Sequence, residues 1–162
     1  MEGRSDAGKK KVVMVAIDDS DCSHHALLWA LENLCPAGTN SRFLVFSVQS
    51  LDGFGYVYAA SVGQAPPELI QGLEDNRRKL ALALLEKAKG ICSDHGVDAE
   101  VLTEVGDPKD QICKAVEDHG VQLLVLGSHS RGPISRAFLG SVSNYCVHNA
   151  KCPVLVVKKP PA

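Results

Sequence analysis

The sequence VQLLVLGSHSRG at residues 121–132, followed by FLGSVS at residues 138–143, decides how this chain folds. The apolar run from Val121 to Leu126 predicts a buried strand, and it leads into a loop of glycine, serine and arginine. The amphipathic segment from about Ser141 to Asn149 then predicts a helix. A strand, a loop and a helix in this order form one β–α unit of an α/β protein.

The loop of this unit has the composition of an anion-binding site. Glycine lets a backbone approach a ligand closely, and the first turn of a helix presents unpaired N–H groups at the positive end of its dipole. Gly127 and Gly140 supply the glycines. Ser141 and Ser143 add hydroxyl groups, and Arg131 adds a positive charge. A phosphate group would therefore meet donors on several sides.

Outward from this unit, apolar strands alternate with amphipathic helices along the chain. The other predicted strands are Lys11–Ile17, Phe43–Val48, Ala99–Val105 and Pro153–Val157. The other predicted helices run from Asp18–Asp21 to just before Pro36, from Pro67 to about Asp94, and from Asp107-Pro108 to about Gly120. This alternation predicts right-handed crossovers and an open five-stranded parallel sheet with helices on both faces, which is a Rossmann-like α/β fold.

The longest predicted helix has an apolar stripe at helical spacing, which we expect to face the core. The residues of this stripe are Leu69, Leu73, Leu80, Leu84, Ala88 and Ile91. Arg77, Arg78 and Lys79 are expected on the solvent face of the same helix.

In such folds a ligand binds beyond the carboxyl ends of the strands, where the strand order reverses. The first predicted strand ends at Asp18 and the fourth ends at Gly127. The sequence therefore predicts the binding site between these two residues.

Length and charge limit the classes of protein to consider. The 162 residues suit one domain at residues 11–159, with a flexible arm at residues 1–10 and a short tail at residues 160–162. A net charge of −2 argues against nucleic acid as a partner. There is no apolar run that suits a signal peptide or a membrane span, so we expect a cytoplasmic protein with access to the nucleus.

Several common catalytic motifs are absent. There is no P-loop motif, and Gly53-Phe54-Gly55 lacks the third glycine of a dinucleotide fingerprint. Ser128-His129-Ser130 does not form a nucleophile elbow. Asp19-Ser20-Asp21 loosely matches a haloacid-dehalogenase-like phosphatase, but no carboxylate follows the fourth strand to hold magnesium. The six cysteines lack the spacing of a zinc site, and no metal site is predicted.

From about Lys11 to Lys159 the chain resembles the universal stress protein (UspA) family, particularly its single-domain plant members. The matching segments are Val15-Ala16-Ile17-Asp18, Ser23 to Ala30, Gly106-Asp107-Pro108, Val125 to His129, Gly140 to Ser143, and Cys152 to Val157. The resemblance implies the adenine nucleotide alpha hydrolase-like variant of the Rossmann-like fold.

The resemblance also implies a nucleotide site. The ATP-binding branch of the family has Gly-x-x-Gly, nine residues, and then Gly-Ser/Thr. In this chain Gly127 takes the first position, Ser130 replaces the second glycine, and Gly140-Ser141 follow nine residues later. If position 130 needs positive φ, the Cβ of Ser130 obstructs phosphate; if φ is negative, its hydroxyl adds a donor.

By the same resemblance Ala16, Ile17 and Asp18 line the adenosine end, and the backbone of Val48 contacts adenine. The residues implied to hold ribose and phosphates are Gly127, Ser130, Gly140, Ser141, Val142 and Ser143, with Arg131 beside them. The resemblance further implies a homodimer through the last strand, at Val154, Leu155, Val156 and Val157.

The function expected from these features is non-catalytic binding of an adenine nucleotide, ATP or AMP, with or without magnesium, in a dimeric stress-response switch. The alternative is a nucleotide-independent dimeric scaffold or holdase of the same family, which the serine at position 130 favours. Slow ATP hydrolysis is a third hypothesis, but the sequence offers no general base in a suitable place.

Overall fold

The computed structural model describes residues 10–35, 40–50, 67–128 and 140–160. Within these ranges, strands and helices alternate along the chain as the sequence predicts. The strands are β1 (Lys11–Ile17), β2 (Ser41–Ser50), β3 (Ala99–Gly106), β4 (Leu123–Gly127) and β5 (Val154–Val157). The helices are α1 (Asp21–Asn33), α2 (Pro67–Asp94), α3 (Pro108–Asp118) and α4 (Ser141–Asn149).

The strands form one parallel sheet in the order β3-β2-β1-β4-β5. The chain first builds outward from β1 to β3 and then returns to place β4 on the other side of β1. The strand order therefore reverses between β1 and β4, where Val13 pairs with Leu123. This confirms the predicted fold and the predicted position of the switch point.

The core consists of two apolar layers, one on each face of the sheet. Along β1, Val13 and Val15 pack on the face covered by α1 and α2, while Met14 and Ala16 pack on the face covered by α3 and α4. Because side chains alternate along a strand, a strand buried on both faces must be apolar at every position. That requirement explains the unbroken apolar run from Val12 to Ile17.

Several strand ends differ from the sequence prediction by one or two residues. Two of them show that backbone pairing, not composition, sets where a strand ends. The strand β2 reaches Ser50, two residues beyond the predicted Val48, since Gln49 and Ser50 still pair with β3. The strand β4 begins at Leu123, later than predicted, because the Val121 N–H bonds Val116 O at 2.9 Å and closes the end of α3.

The helix α2 is longer than the sheet it covers. Its 28 residues span about 42 Å at 1.5 Å each, whereas the ten residues of β2 span roughly 33 Å. None of residues 67–80 is buried, and the prediction that Leu69 and Leu80 face the core is wrong, since they are 50% and 65% exposed. Among the described helices, even this one is not apolar enough to cross a membrane.

Candidate functional site

A cavity of about 870 Å³ lies at the carboxyl edge of the sheet, at the switch point. Every predicted site residue within the described ranges lines it: Ala16, Ile17, Asp18, Val48, Gly127, Gly140, Ser141, Val142 and Ser143. Ser130 and Arg131 lie outside the described residues. The fold thus brings together the ends of β1, β2 and β4 and the start of α4, as the switch-point rule requires.

Between β1 and α1 the chain turns through Asp18, Asp19 and Ser20. The Ser20 hydroxyl accepts the Ser23 N–H at 3.2 Å, so Ser20 is the N-cap of α1. The Asp18 carboxylate accepts the Ser20 N–H at 2.9 Å and also accepts the Ser20 hydroxyl. From the sequence, any of several residues between Asp18 and Asp21 could cap the helix. In the structure the cap is Ser20, and Asp18 lines the cavity instead.

Ser23 is a polar residue of this site that the sequence analysis missed. Its side chain is buried, with 5% of the residue exposed. The hydroxyl accepts the Asp18 N–H at 3.1 Å and lies within donating distance of Asp18 O at 2.9 Å and Ser20 O at 3.1 Å. A serine in the first turn of a helix commonly bonds nearby backbone in this way, and that pattern was the available signal.

Packing between two elements requires a glycine at position 127, whether or not a ligand binds beside it. A Cβ at this position would lie 2.6 Å from the carbonyl oxygen of Cys22 and 2.9 Å from the Ser23 nitrogen. The first turn of α1 therefore rests against the last residue of β4. The loop composition predicts close approach of a phosphate at this glycine, and the structure shows close approach of a helix.

The start of α4 has a different arrangement. Gly140 is the N-cap residue, and it makes no side-chain capping hydrogen bond. The Ser143 hydroxyl turns back to donate to Gly140 O at 3.0 Å and is buried, while Ser141 is exposed. The first N–H groups of a helix lack partners inside the helix, and across the described part of the chain no side chain caps those of α4. Such groups can bind a ligand anion.

The rest of the cavity wall comes from α2 and α3. Pro108 and Ile112 of α3 and Leu80 and Leu84 of α2 give it an apolar side. Arg77, which was predicted on the solvent face of α2, also lines the cavity and is partly buried. Two turns of α2 lie beside the cavity because this helix extends past the sheet.

Neither thiol chemistry nor a protein-bound metal cluster is indicated by the described residues. Burial raises the pKa of Cys146 to about 12 and that of Cys92 to about 11, which keeps both thiols protonated and unreactive. Across residues 10–35, 40–50, 67–128 and 140–160, no three His, Cys, Asp or Glu side chains converge as metal ligands.

Comparison with known proteins identifies relatives of the chain. The family model described as the Universal stress protein family matches residues 10–158. The Universal stress protein A-like protein of Arabidopsis thaliana is 32% identical over 157 residues, which cover 91% of this chain and 89% of that protein. The family match thus spans both core layers and the whole cavity.

Solved structures agree with this match. The structure of MJ0577 of Methanocaldococcus jannaschii has a TM-score of 0.75 at 24% identity and covers 94% of this chain and 98% of its own. A universal stress protein family protein of Arabidopsis thaliana, solved with AMP bound, has a TM-score of 0.68 at 29% identity, covering 93% and 92%. Sheet order, sequence and structural similarity together show that this chain belongs to the universal stress protein family.

Proposed function

We propose that this protein binds an adenine nucleotide, AMP or ATP, in the cavity at the switch point. The observation that carries the proposal is the start of α4, which has no side-chain cap from the described residues and shares one cavity with the Asp18 carboxylate. The related Arabidopsis protein with AMP bound supports the choice of ligand, since its similarity extends over nearly the whole of both chains.

The phosphates would bind at the start of α4. The N–H groups of Ser141, Val142 and Ser143 point out of the first turn, and the helix dipole adds positive potential there. No acidic residue lies in this first turn. Ser130 and Arg131 would complete the phosphate side, with the Ser130 hydroxyl acting as a donor in place of the family's glycine.

The adenosine would lie against the ends of β1 and β2. The Asp18 carboxylate can only accept hydrogen bonds when ionised, which suits the ribose hydroxyls. The backbone of Val48 would bond the adenine edge, and Ala16 and Ile17 would contact the nucleoside. Pro108 and Ile112 offer an apolar surface for the base.

The bound nucleotide would act as a ligand that favours one arrangement of the loops around the cavity. A ligand shifts such an equilibrium only through its different affinity for the two arrangements. Binding that joins the α4 terminus to the β1 end would supply that difference, because both contacts are made only when the two are correctly spaced.

A second candidate function, that of a dimeric scaffold independent of nucleotide, is favoured by the sheet edge at β5. This four-residue edge strand leaves Val154, Leu155 and Val156 only partly buried. An apolar edge strand is a surface for pairing with a second copy. Sedimentation tests whether the protein is a dimer without nucleotide, which the scaffold requires. Titration with AMP then separates the two functions, because only the switch predicts binding.

Titration calorimetry with AMP and with ATP, each with and without magnesium, tests the main proposal. Saturable binding is expected, together with a rise in thermal stability. At a ligand concentration 100 times the dissociation constant, the stabilisation is about 2.7 kcal/mol. Absence of both heat and stabilisation at millimolar nucleotide would leave the scaffold as the better function.

A further inference from the structure

We propose that Ser23 is a positioning residue of the nucleotide site, which fixes Asp18 by binding both backbone groups of that residue. Its effect on affinity rests on the proposed nucleotide binding, but its effect on the loop does not. Its donor hydrogen is committed to backbone carbonyl oxygens, so Ser23 acts on a ligand through Asp18.

The first step of the argument is the two-point attachment. The Ser23 hydroxyl contacts the Asp18 N–H at 3.1 Å and the Asp18 carbonyl oxygen at 2.9 Å. Bonds to both sides of one Cα fix the position of that residue and the direction of its side chain. Because Asp18 is the first residue after β1 and belongs to no regular element, these bonds take the place of a strand or helix.

The second step is the closed set of bonds around this loop. Ser23 binds Asp18, the Asp18 carboxylate accepts the Ser20 N–H and hydroxyl, and the Ser20 hydroxyl accepts the Ser23 N–H. The three residues thus form a closed ring of hydrogen bonds, and Ser23 is its buried residue. Removal of the Ser23 oxygen breaks the bonds between Ser23 and Asp18. Without that oxygen, the Asp18 backbone loses these two hydrogen bonds, while the Ser20 hydroxyl remains to cap α1.

The third step connects the loop to the opposite side of the site. The backbone of Cys22 and Ser23 lies against Gly127, at a distance that leaves no room for a Cβ. Gly127 is the last residue of β4, and the chain continues from it toward Gly140. The position of Asp18 is therefore set relative to the strand that leads to the phosphate side.

The test is a double-mutant cycle on AMP affinity with Ser23→Ala and Asp18→Ala. We expect Ser23→Ala to weaken AMP binding about tenfold in the unmodified chain, the effect of losing roughly one well-placed hydrogen bond. In the Asp18→Ala background the same change should have almost no effect, because Ser23 acts through Asp18. Ser23→Thr, which keeps the hydroxyl, should restore most of the affinity.

Ser93→Ala, an exposed serine near the end of α2, is the matched control and should bind AMP like the unmodified chain. Ser23 would lose its assigned role if Ser23→Ala bound AMP unchanged. It would also lose it if the two losses simply added, because general destabilisation of the fold would produce additive losses.

A ligand-free measurement separates this inference from the proposed function. Amide hydrogen exchange at the Asp18 N–H, followed by NMR, should be at least about tenfold faster in Ser23→Ala than in Ser93→Ala, since that N–H loses its acceptor. Equal exchange rates would overturn the inference even if AMP binds. Faster exchange in a chain that binds no AMP would support the positioning of Asp18 and refute the proposed function alone.

Discussion

The N-termini of α1 and α4 face the same cavity but treat their first backbone N–H groups in opposite ways. At α1, Ser20 caps the helix and Ser23 binds the preceding loop. At α4, Gly140 stands in the cap position and no side chain caps the helix among the described residues. An acidic residue, Asp21, lies in the first turn of α1, whereas the first turn of α4 has none.

The difference shows how one site combines fixed geometry with capacity for a ligand. A helix start that satisfies its own donors holds its shape but has little to offer an anion. A helix start without a side-chain cap offers its donors to the anion but does not fix itself. In this protein, the α1 terminus would set the geometry and the α4 terminus would supply the binding energy for phosphate.

The largest expected effect comes from removing the support of the α1 terminus. Gly127→Ala places a methyl group 2.6 Å from the Cys22 carbonyl oxygen, so we expect a loss of about 1–3 kcal/mol in the free energy of unfolding. Urea unfolding measures it. The control is Gly90→Ala in α2, where a Cβ meets nothing within 4 Å and the helix should gain about 0.5–1 kcal/mol. Equal stability of the two variants would contradict the packing role of Gly127.

The second prediction gives α4 a cap of its own. Gly140→Asp introduces a carboxylate that accepts the first N–H groups of α4 and repels a phosphate, so AMP affinity should fall at least about tenfold, or 1.4 kcal/mol. Gly140→Asn caps without charge and should lose less. Calorimetry at low and high salt measures the AMP affinity of both variants. The difference in affinity between them should be smaller at high salt, because salt screens the repulsion between the carboxylate and the phosphate. Unchanged AMP affinity in Gly140→Asp would remove the phosphate from the start of α4.

A third prediction concerns the cap of α1 itself. Ser20→Ala removes the acceptor of the Ser23 N–H and should lower the free energy of unfolding by about 1 kcal/mol. Ser141→Ala, at the corresponding start of α4, should change it by less than about 0.5 kcal/mol because Ser141 is exposed. Denaturant midpoints of the two variants test the asymmetry. If Ser141→Ala lost more unfolding free energy than Ser20→Ala, the start of α4, not that of α1, would be the one that its serine stabilises.

The smallest effect is expected at α3, whose cap is charged. The Lys109 ammonium, 2.7 Å from the Asp107 carboxylate, holds the pKa of Asp107 below its usual range. Because the folded pKa is the lower one, the stabilisation is present at neutral pH and is lost as pH falls through that value, below about pH 4. Asp107→Asn keeps the cap but not the charge, so its melting temperature should fall less steeply in acid. If the melting temperatures of Asp107→Asn and the unmodified chain fell equally as the pH is lowered, the stabilising role of the Asp107 charge would be contradicted.

Several parts of the fold could be predicted because local signals agree with the tertiary environment. The Asp107-Pro108 start of α3 was predicted from its cap and its proline, and the Asp107 carboxylate does accept the Lys109 N–H at 3.2 Å. Gly96 was expected to end α2, and it has the positive φ of 74° that such a position requires. The exposure of Leu69 and Leu80 on α2 could not be predicted, because no local signal in the sequence reports that the helix is longer than the sheet.

The candidate site could be predicted only in outline. Topology places Asp18 and Gly127 at the switch point, and the composition of the following loop pointed to Gly140, Ser141 and Ser143. The resemblance supplied Ala16, Ile17, Val48 and Val142. That Ser23 and Arg77 line the cavity was missed, because this depends on distances between elements, which the spacing of residues along the chain does not report. Gly127 is a second example. A glycine in the sequence indicates that something approaches the backbone closely, but it does not indicate whether this is a ligand or, as here, the first turn of α1.

The central place of β1 has a consequence for the newly made chain. One neighbour of β1 is β2, which follows next along the chain, but its other neighbour is β4, and the Val12 N–H that bonds Gln122 reaches 110 positions along the chain. At the usual speed of a ribosome, the stretch from the end of β2 at Ser50 to the start of β4 at Leu123 takes roughly 4–15 s to make. Throughout this interval one edge of an almost wholly apolar strand has no partner, and such an edge is a template for aggregation. The most vulnerable period in the synthesis of this protein therefore lies between the completion of β2 and the arrival of β4.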